Sequence, residues 1–358
     1  MRARKSTATL AVGIILFMTS VVTRAQREAP VEQVASHLFG LQTPNGGAEM
    51  PLEISLDWNK AQPQVTRAVV IFHGKGRDVE GYYHSAQRAA ELAGGDAAAA
   101  SIIVAPQFLN EEDARAHRVP GDVLRWRQGV WEAGTDAAGP VPMSAFEVID
   151  AIVGHLADRR FFPNLKTIVL AGHSGGGQAM QRYAIVGRAD RIVGDGIRIR
   201  YVVANPSSYM YFTDDRPRFD GGAIHLEAGD AGKCRDFNHW KYGPLNIHED
   251  EGYVKKSAAE GWQALEDAYA KKDVVYLLGK ADIDPHQEDL DVTCQGEMEG
   301  PTRFLRGQAY FAWLHQRHGT EWHQRMWFVP GVAHSAGKMF TSECGVDALF
   351  ERAACKEQ

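Results

Sequence analysis

Short apolar runs punctuate the chain at residues 52–56, 68–72, 101–105, 167–171, 201–204, 274–278 and 325–329. Most are continuous rather than alternating and rich in Val and Ile, the pattern of strands covered on both faces. Between them, residues 81–93, 144–159, 178–187, 257–271 and 302–318 have helix-forming composition. Strand and helix in alternation predict an α/β fold: a doubly wound, mostly parallel sheet with helices on both faces. Two stretches, about 107–142 and 206–256, lack clear periodicity and read as long cover insertions. No linker composition or internal repeat divides the rest, so residues 26–358 read as one domain carrying those insertions.

The amino terminus changes the picture of where the chain works. Arg2, Arg4 and Lys5 precede an apolar stretch at 10–22, and Thr23-Arg24-Ala25 forms a small-x-Ala cleavage signature. Residues 1–25 therefore read as a signal peptide, and the expected location is periplasmic or secreted. The apolar stretch is short for a membrane-spanning helix, so no stable membrane insertion is expected after cleavage. The whole chain has a formal charge of −6, and losing four basic side chains with no acids takes it to −10. A balance this acidic argues against nucleic acid as a partner.

Four cysteines, Cys234, Cys294, Cys344 and Cys355, all fall in the second half. An even count in an exported chain suggests two disulfides, with three possible connectivities. Cys234 and Cys294 each follow a predicted strand by a short loop, and Cys344 and Cys355 flank a helical stretch at 346–353. The favoured pairing is thus 234–294 with 344–355. None of the four has the Cys-x-x-Cys spacing of a zinc site.

The chemistry concentrates in Gly172-His173-Ser174-Gly175-Gly176, a G-x-S-x-G pattern between an apolar strand and a helix. A serine at such a sharp turn stands at strained backbone angles, and a Cβ on its neighbours would collide with strand or helix. The turn lifts the hydroxyl above the sheet and aims the first helical N–H groups at whatever the serine attacks. In a doubly wound sheet the other groups must come from carboxyl ends of strands. His334 follows the strand at 325–329 and can act as general base. Asp282, on the loop after 274–278, can orient that imidazole, with Asp284 as the rival acid.

The order Ser174, Asp282, His334 is that of α/β-hydrolases, and His73-Gly74-Lys75-Gly76 after an early strand resembles that superfamily's oxyanion loop. Carried over, the resemblance makes the N–H groups of Lys75 and Gly175 the two oxyanion donors, with His73 bracing the loop. The likeness runs from about Leu52 to Phe350. Stretches such as 144–150 and 205–209 resemble exported members related to polyester depolymerases and feruloyl-type esterases. Lys75 departs from the glycine-rich H-G-G-G loop of many lipases, which argues against bulky tertiary-alcohol esters as substrates.

The insertions are rich in aromatic residues: Trp126 and Trp131 in the first, Tyr209, Tyr211 and Trp240 in the second. These are expected to line the mouth of a substrate pocket. The acidic run from Asp282 to Asp291 lacks the mid-loop glycine of a calcium loop and reads as solvated. The expected activity is that of an exported serine hydrolase, acting on a small or polymeric carboxylic ester through a Ser-His-Asp triad and a covalent acyl-enzyme. No metal or organic cofactor is required for this chemistry. The alternatives are amide or peptide hydrolysis on the same triad, and a non-catalytic α/β-hydrolase scaffold kept for binding.

Overall fold

The computed structural model describes residues 29–44, 46–127, 129–319, 322–353 and 355; the expected signal peptide at 1–25 lies outside them. The strands are β1 (His37–Thr43), β2 (Gly46–Ile54), β3 (Arg67–Phe72), β4 (Ser101–Pro106), β5 (Thr167–His173), β6 (Arg198–Ala204), β7 (Asp215–Asp220), β8 (Ala223–Ala228), β9 (Asp273–Gly279) and β10 (Arg325–Val329). The helices that pack on them include α1 (Val79–Ala93), α2 (Ala145–Ala157), α3 (Gly175–Val186), α4 (Trp262–Ala270), α5 (Arg303–His318) and α6 (Glu343–Phe350).

Eight strands form one sheet in the order β1-β2-β4-β3-β5-β6-β9-β10. From β4 to β10 every pairing is parallel, whereas β1–β2 and β2–β4 are antiparallel. The chain winds outward from β3 to β4, then crosses back to place β5 on the other side of β3. The loop after β3 and the turn after β5 therefore leave neighbouring carboxyl ends, where sheets of this kind bind ligands.

Both faces of the central strands are covered, which is why these strands read as continuous apolar runs. Val69, Ile71, Val169, Ala171, Val202 and Val275 pack against α1 and α6. Val70, Phe72, Ile168, Leu170, Tyr201 and Val203 pack against α2, α3, α4 and α5. Ser144 and Thr302, the expected first residues of two helices, are their N-caps. Ser144 Oγ accepts from Phe146 N (3.1 Å) while the Glu147 carboxylate accepts from Ser144 N (3.0 Å). Reciprocal capping of this kind stabilises a helix start by about 1 kcal/mol.

The fold departs from expectation in three places. The helix expected at 257–271 is two, Gly252–Ala258 and α4, broken at Gly261, whose φ of +96° interrupts the helical backbone. The 206–256 insertion contains the β7–β8 hairpin, turned by Gly221 and Gly222 at φ +55° and +88°. An edge strand, β1, precedes the first expected strand.

The cysteines pair as Cys234–Cys294 and Cys344–Cys355, with Cα separations of 5.6 and 4.6 Å. The first closes a 60-residue separation and ties the segment after β8 to that after β9. By the chain-entropy argument such a link is worth about 3–5 kcal/mol. At the opposite end from the strands' carboxyl termini, arginines meet two acids. Arg198 Nη1 and Arg200 Nε lie 2.7 and 2.8 Å from Asp273, and Arg325 also reaches that carboxylate. Arg67 and Arg198 lie 2.6 and 2.5 Å from Glu351. Among the described residues no helix is long and apolar enough to cross a membrane.

Candidate active site

Ser174 follows β5 at φ +59°, ψ −119°, a conformation that an L-residue holds only under constraint. The constraint is backbone pressed on backbone. A Cβ on Gly172 would stand 2.2 Å from the Gly176 carbonyl oxygen, and one on Gly176 would stand 2.3 Å from that of Phe72. Gly177 has the same restriction, with the Ala204 oxygen 2.6 Å away. The three glycines thus let α3 start directly against the ends of β3 and β6. Ser174 N donates to Ala204 O (3.0 Å), which fixes the turn.

His334 and Asp282 converge on this serine. His334 Nε2 lies 3.0 Å from Ser174 Oγ, and His334 Nδ1 lies 2.9 Å from Asp282 Oδ2. Asp282 is buried, whereas Asp284 is exposed and accepts a hydrogen bond from His286 N (2.9 Å). The loops that carry acid and imidazole are tied together: Ala281 N donates to Val332 O (2.9 Å) and Lys280 N to Val329 O (3.0 Å). Asn205, at the end of β6, closes the same corner. Its Oδ1 accepts from Gly279 N (2.8 Å) and its Nδ2 donates to Ala333 O (3.3 Å). Asn205 has φ +39°, a position asparagine tolerates better than most residues. Sequence reasoning did not single it out for this role, although a polar residue at the carboxyl end of a buried strand is a visible signal.

The loop after β3 is braced from inside. Phe108 N donates to His73 Nε2 (2.9 Å), which puts the ring proton on Nδ1, and that group donates to Gly74 O (2.7 Å). The brace brings Lys75 N to 3.2 Å from where a Cβ of Gly175 would stand. The backbones of Lys75 and Gly175 thus lie against each other beside Ser174, and first-turn helical N–H groups such as that of Gly175 have no partner within their own helix. Tyr82, buried on α1, sets its hydroxyl 3.3 Å from His173 Nδ1.

Burial holds the His73 imidazole down, to about 4 from an ordinary 6.5. The unfolded chain takes up this proton first, so the brace stabilises fully above about 6.5 and less as pH falls toward 4. From this group the loss is about 3 kcal/mol across the window. Melting temperature measured from pH 7 to 4 should therefore fall less steeply in His73→Gln than in the native protein; parallel slopes would exclude His73 as the cause.

A cleft of about 410 Å³ opens over Ser174, bounded by Gly74, Lys75, Tyr82, Asp289, His334 and Ser335. Across Lys75–Asp78 it continues into a hollow of about 550 Å³ walled by Ala29–Gln33, Glu80 and Glu288. None of the five aromatic residues expected at its mouth lines this cleft, although Trp126 and Trp131 border a small hollow beside it with Lys75 and Arg77. Trp126, Trp131, Tyr209, Tyr211 and Trp240 are all buried in the hydrophobic core beneath α2 to α5. Two of the indoles find backbone carbonyls inside the protein, whereas the hydroxyls of Tyr209 and Tyr211 are buried with no hydrogen-bond partner among the described residues. Trp126 Nε1 donates to Thr135 O (3.1 Å) and Trp240 Nε1 to Ala133 O (2.9 Å). Trp131 stacks on Phe108 (4.2 Å between centroids) and meets the His73 ring edge-on. Tyr209 stacks on Tyr310, and Tyr211 packs against Trp313.

Trp126→Ala should cost about 3–5 kcal/mol of stability, the usual loss for a large buried ring. Acyl-chain preference across acetyl to octanoyl esters should stay unchanged in the same variant. A shifted preference at unaltered melting temperature would return Trp126 to the pocket.

Among the described residues no three His, Cys, Asp or Glu side chains are grouped to hold a metal ion. Asp291, in the acidic run, accepts instead from Tyr242 (2.7 Å) and Thr293 (2.6 Å).

No protein-family model and no curated protein matches the sequence. Solved structures do match. Poly(aspartic acid) hydrolase-1 from Sphingomonas sp. KT-1 is 20% identical over 87% of this chain and 96% of its own, with a TM-score of 0.54. LpqC, a poly(3-hydroxybutyrate) depolymerase from Bordetella parapertussis, is 18% identical over 88% of this chain and 91% of its own, with a TM-score of 0.55. At that identity the likeness is one of fold, and it agrees with a mostly parallel eight-stranded sheet carrying helices on both faces. The chain has the α/β-hydrolase fold.

Proposed function

We propose that the protein is an exported serine hydrolase that cleaves a carboxylic ester. The observation that carries this reading is the hydrogen-bonded line from Ser174 Oγ through His334 to buried Asp282, opening on a cleft that Lys75 also lines. In this reading Ser174 attacks the acyl carbon while His334 Nε2 takes its proton, and the carboxylate of Asp282 holds Nδ1–H and stabilises the imidazolium. Negative charge on the acyl oxygen falls between the N–H groups of Lys75 and Gly175. Removing one such donor typically costs 10²–10³ in rate. His334 then gives its proton to the leaving alcohol, and water repeats the sequence on the acyl-enzyme. Export is supported by the two disulfides, which persist in oxidising compartments.

The test is a panel of p-nitrophenyl esters beside p-nitroanilide amides, run on oxidised protein with fluorophosphonate labelling. Turnover of esters over anilides, with label on Ser174, is expected. Preference for anilides would make the enzyme an amidase on the same residues. Absence of both turnover and label would leave the fold as a binding scaffold.

A further inference from the structure

Asp282 has a second neighbour besides His334. Helix α5 begins beside it: Thr302 caps the helix, accepting from Leu305 N (3.3 Å), and Phe304 N donates to Asp282 O (3.2 Å). The helix start is thereby pinned to the acid loop, and Arg303 Nη1 stands 3.6 Å from Asp282 Oδ1. The carboxylate is divided, with Oδ2 toward the imidazole and Oδ1 toward the guanidinium. Both side chains are buried, Arg303 with none and Asp282 with 1% of its side chain exposed. Nε, Nη1 and Nη2 of Arg303 have no hydrogen-bond partner among the described residues. Asp282 is the largest negative charge acting on Arg303, with Asp289 second, and a buried cation is costly unless it is compensated.

We propose that Arg303 is a positioning residue that keeps Asp282 charged and aimed at His334. The proposal rests on the triad reading above. The charged and titratable groups around the pair are few. His173 lies against His334, tilted by 35° with 4.6 Å between ring centroids, Asp289 lies on the loop that follows Asp282, and Arg306 is one turn along α5. Tyr209, on the segment after β6, is within electrostatic reach of Asp282. Burial lowers the proton affinity of Arg303 to about 10, so the guanidinium stays charged at any pH where a histidine base works.

Without this cation two effects act in one direction. The buried carboxylate accepts a proton more readily, and an imidazole beside an uncompensated negative charge keeps its proton to higher pH. Either effect removes the working pair of free imidazole and carboxylate at the acid end.

The experiment is the pH profile of kcat/KM on p-nitrophenyl acetate for the native protein, Arg303→Met and Arg303→Lys. The acid limb should move upward by about one to three pH units in the Met variant, the usual effect of an opposite charge at this range. The Lys variant should return most of the way. A uniform loss at every pH, with the limb unmoved, would overturn the proposal, because a packing role predicts that. So would a Lys variant as displaced as the Met variant. If Arg303→Met fails to fold, Arg303→Gln is the neutral variant, judged by the same limb.

A readout independent of turnover separates this proposal from the triad reading. In a Ser174→Ala background, the pH at which the low-field proton resonance of the His334–Asp282 hydrogen bond changes should lie higher with Met than with Arg303. A transition at the same pH in both would overturn the role of Arg303. A native protein without ester turnover that still shows the Arg303-dependent transition would count against the function and not against the positioning.

Discussion

Ser174→Ala should abolish ester turnover, with a fall in kcat on the order of 10⁶, while the protein stays folded. The magnitude follows from the geometry: the Oγ that His334 Nε2 holds at 3.0 Å is the atom proposed to bond to the acyl carbon, and alanine removes it alone. The backbone of the elbow is set by its glycines and by Ser174 N on Ala204 O, so the turn and the amides of Lys75 and Gly175 survive the change. Residual activity should match what oriented amides and binding supply without a nucleophile. Fluorophosphonate labelling should vanish with turnover. A variant that hydrolyses p-nitrophenyl acetate at a near-native rate would sink the assignment.

Asp282→Asn should lower kcat by about 10⁴, with a much smaller change for Asp284→Asn. Asparagine fits the same space, but its amide can set N–H donors against His334 Nδ1. The imidazole then keeps its proton on Nε2, facing Ser174, where it cannot act as a base. Asp284 is exposed, and its hydrogen bond goes to His286 N within its own turn. Losing that bond disturbs a surface loop. The two variants assayed side by side on one ester decide the matter, and the reverse ranking would move the role to Asp284.

The central strands were legible because burial on both faces leaves a continuous apolar run, as in β5, where every residue is buried. The elbow was legible because close backbone contact admits only glycine at Gly172, Gly176 and Gly177. Ser174, Asp282 and His334 could be named because topology brings strand ends together wherever they fall in sequence. Strands β7 and β8 were hidden because they pair only with each other, mostly part-exposed or exposed, and the alternation of Ile224 and Leu226 in β8 is too short to stand out. The aromatic residues misled for a related reason. In a stretch without periodicity nothing marks which face is inward, and an indole looks the same whether its N–H meets a ligand or the carbonyl of Ala133. Asn205 and Arg303 act on residues 128 and 21 positions away, respectively, at distances that only the fold defines.

The arginines gathered on Asp273 and Glu351 stand where the parallel strands begin, and Ser174 stands where they end. A seven-residue parallel strand is about 23 Å long, so the two ends are separated by well over a screening length in physiological salt. For attachment to a solid support this gives the molecule a usable polarity. Coupling through amines at random would consume Lys75 at the lip of the cleft. A tether directed to Lys166, the exposed residue just ahead of β5, would instead hold the molecule by its charged foot and leave the cleft open to solution.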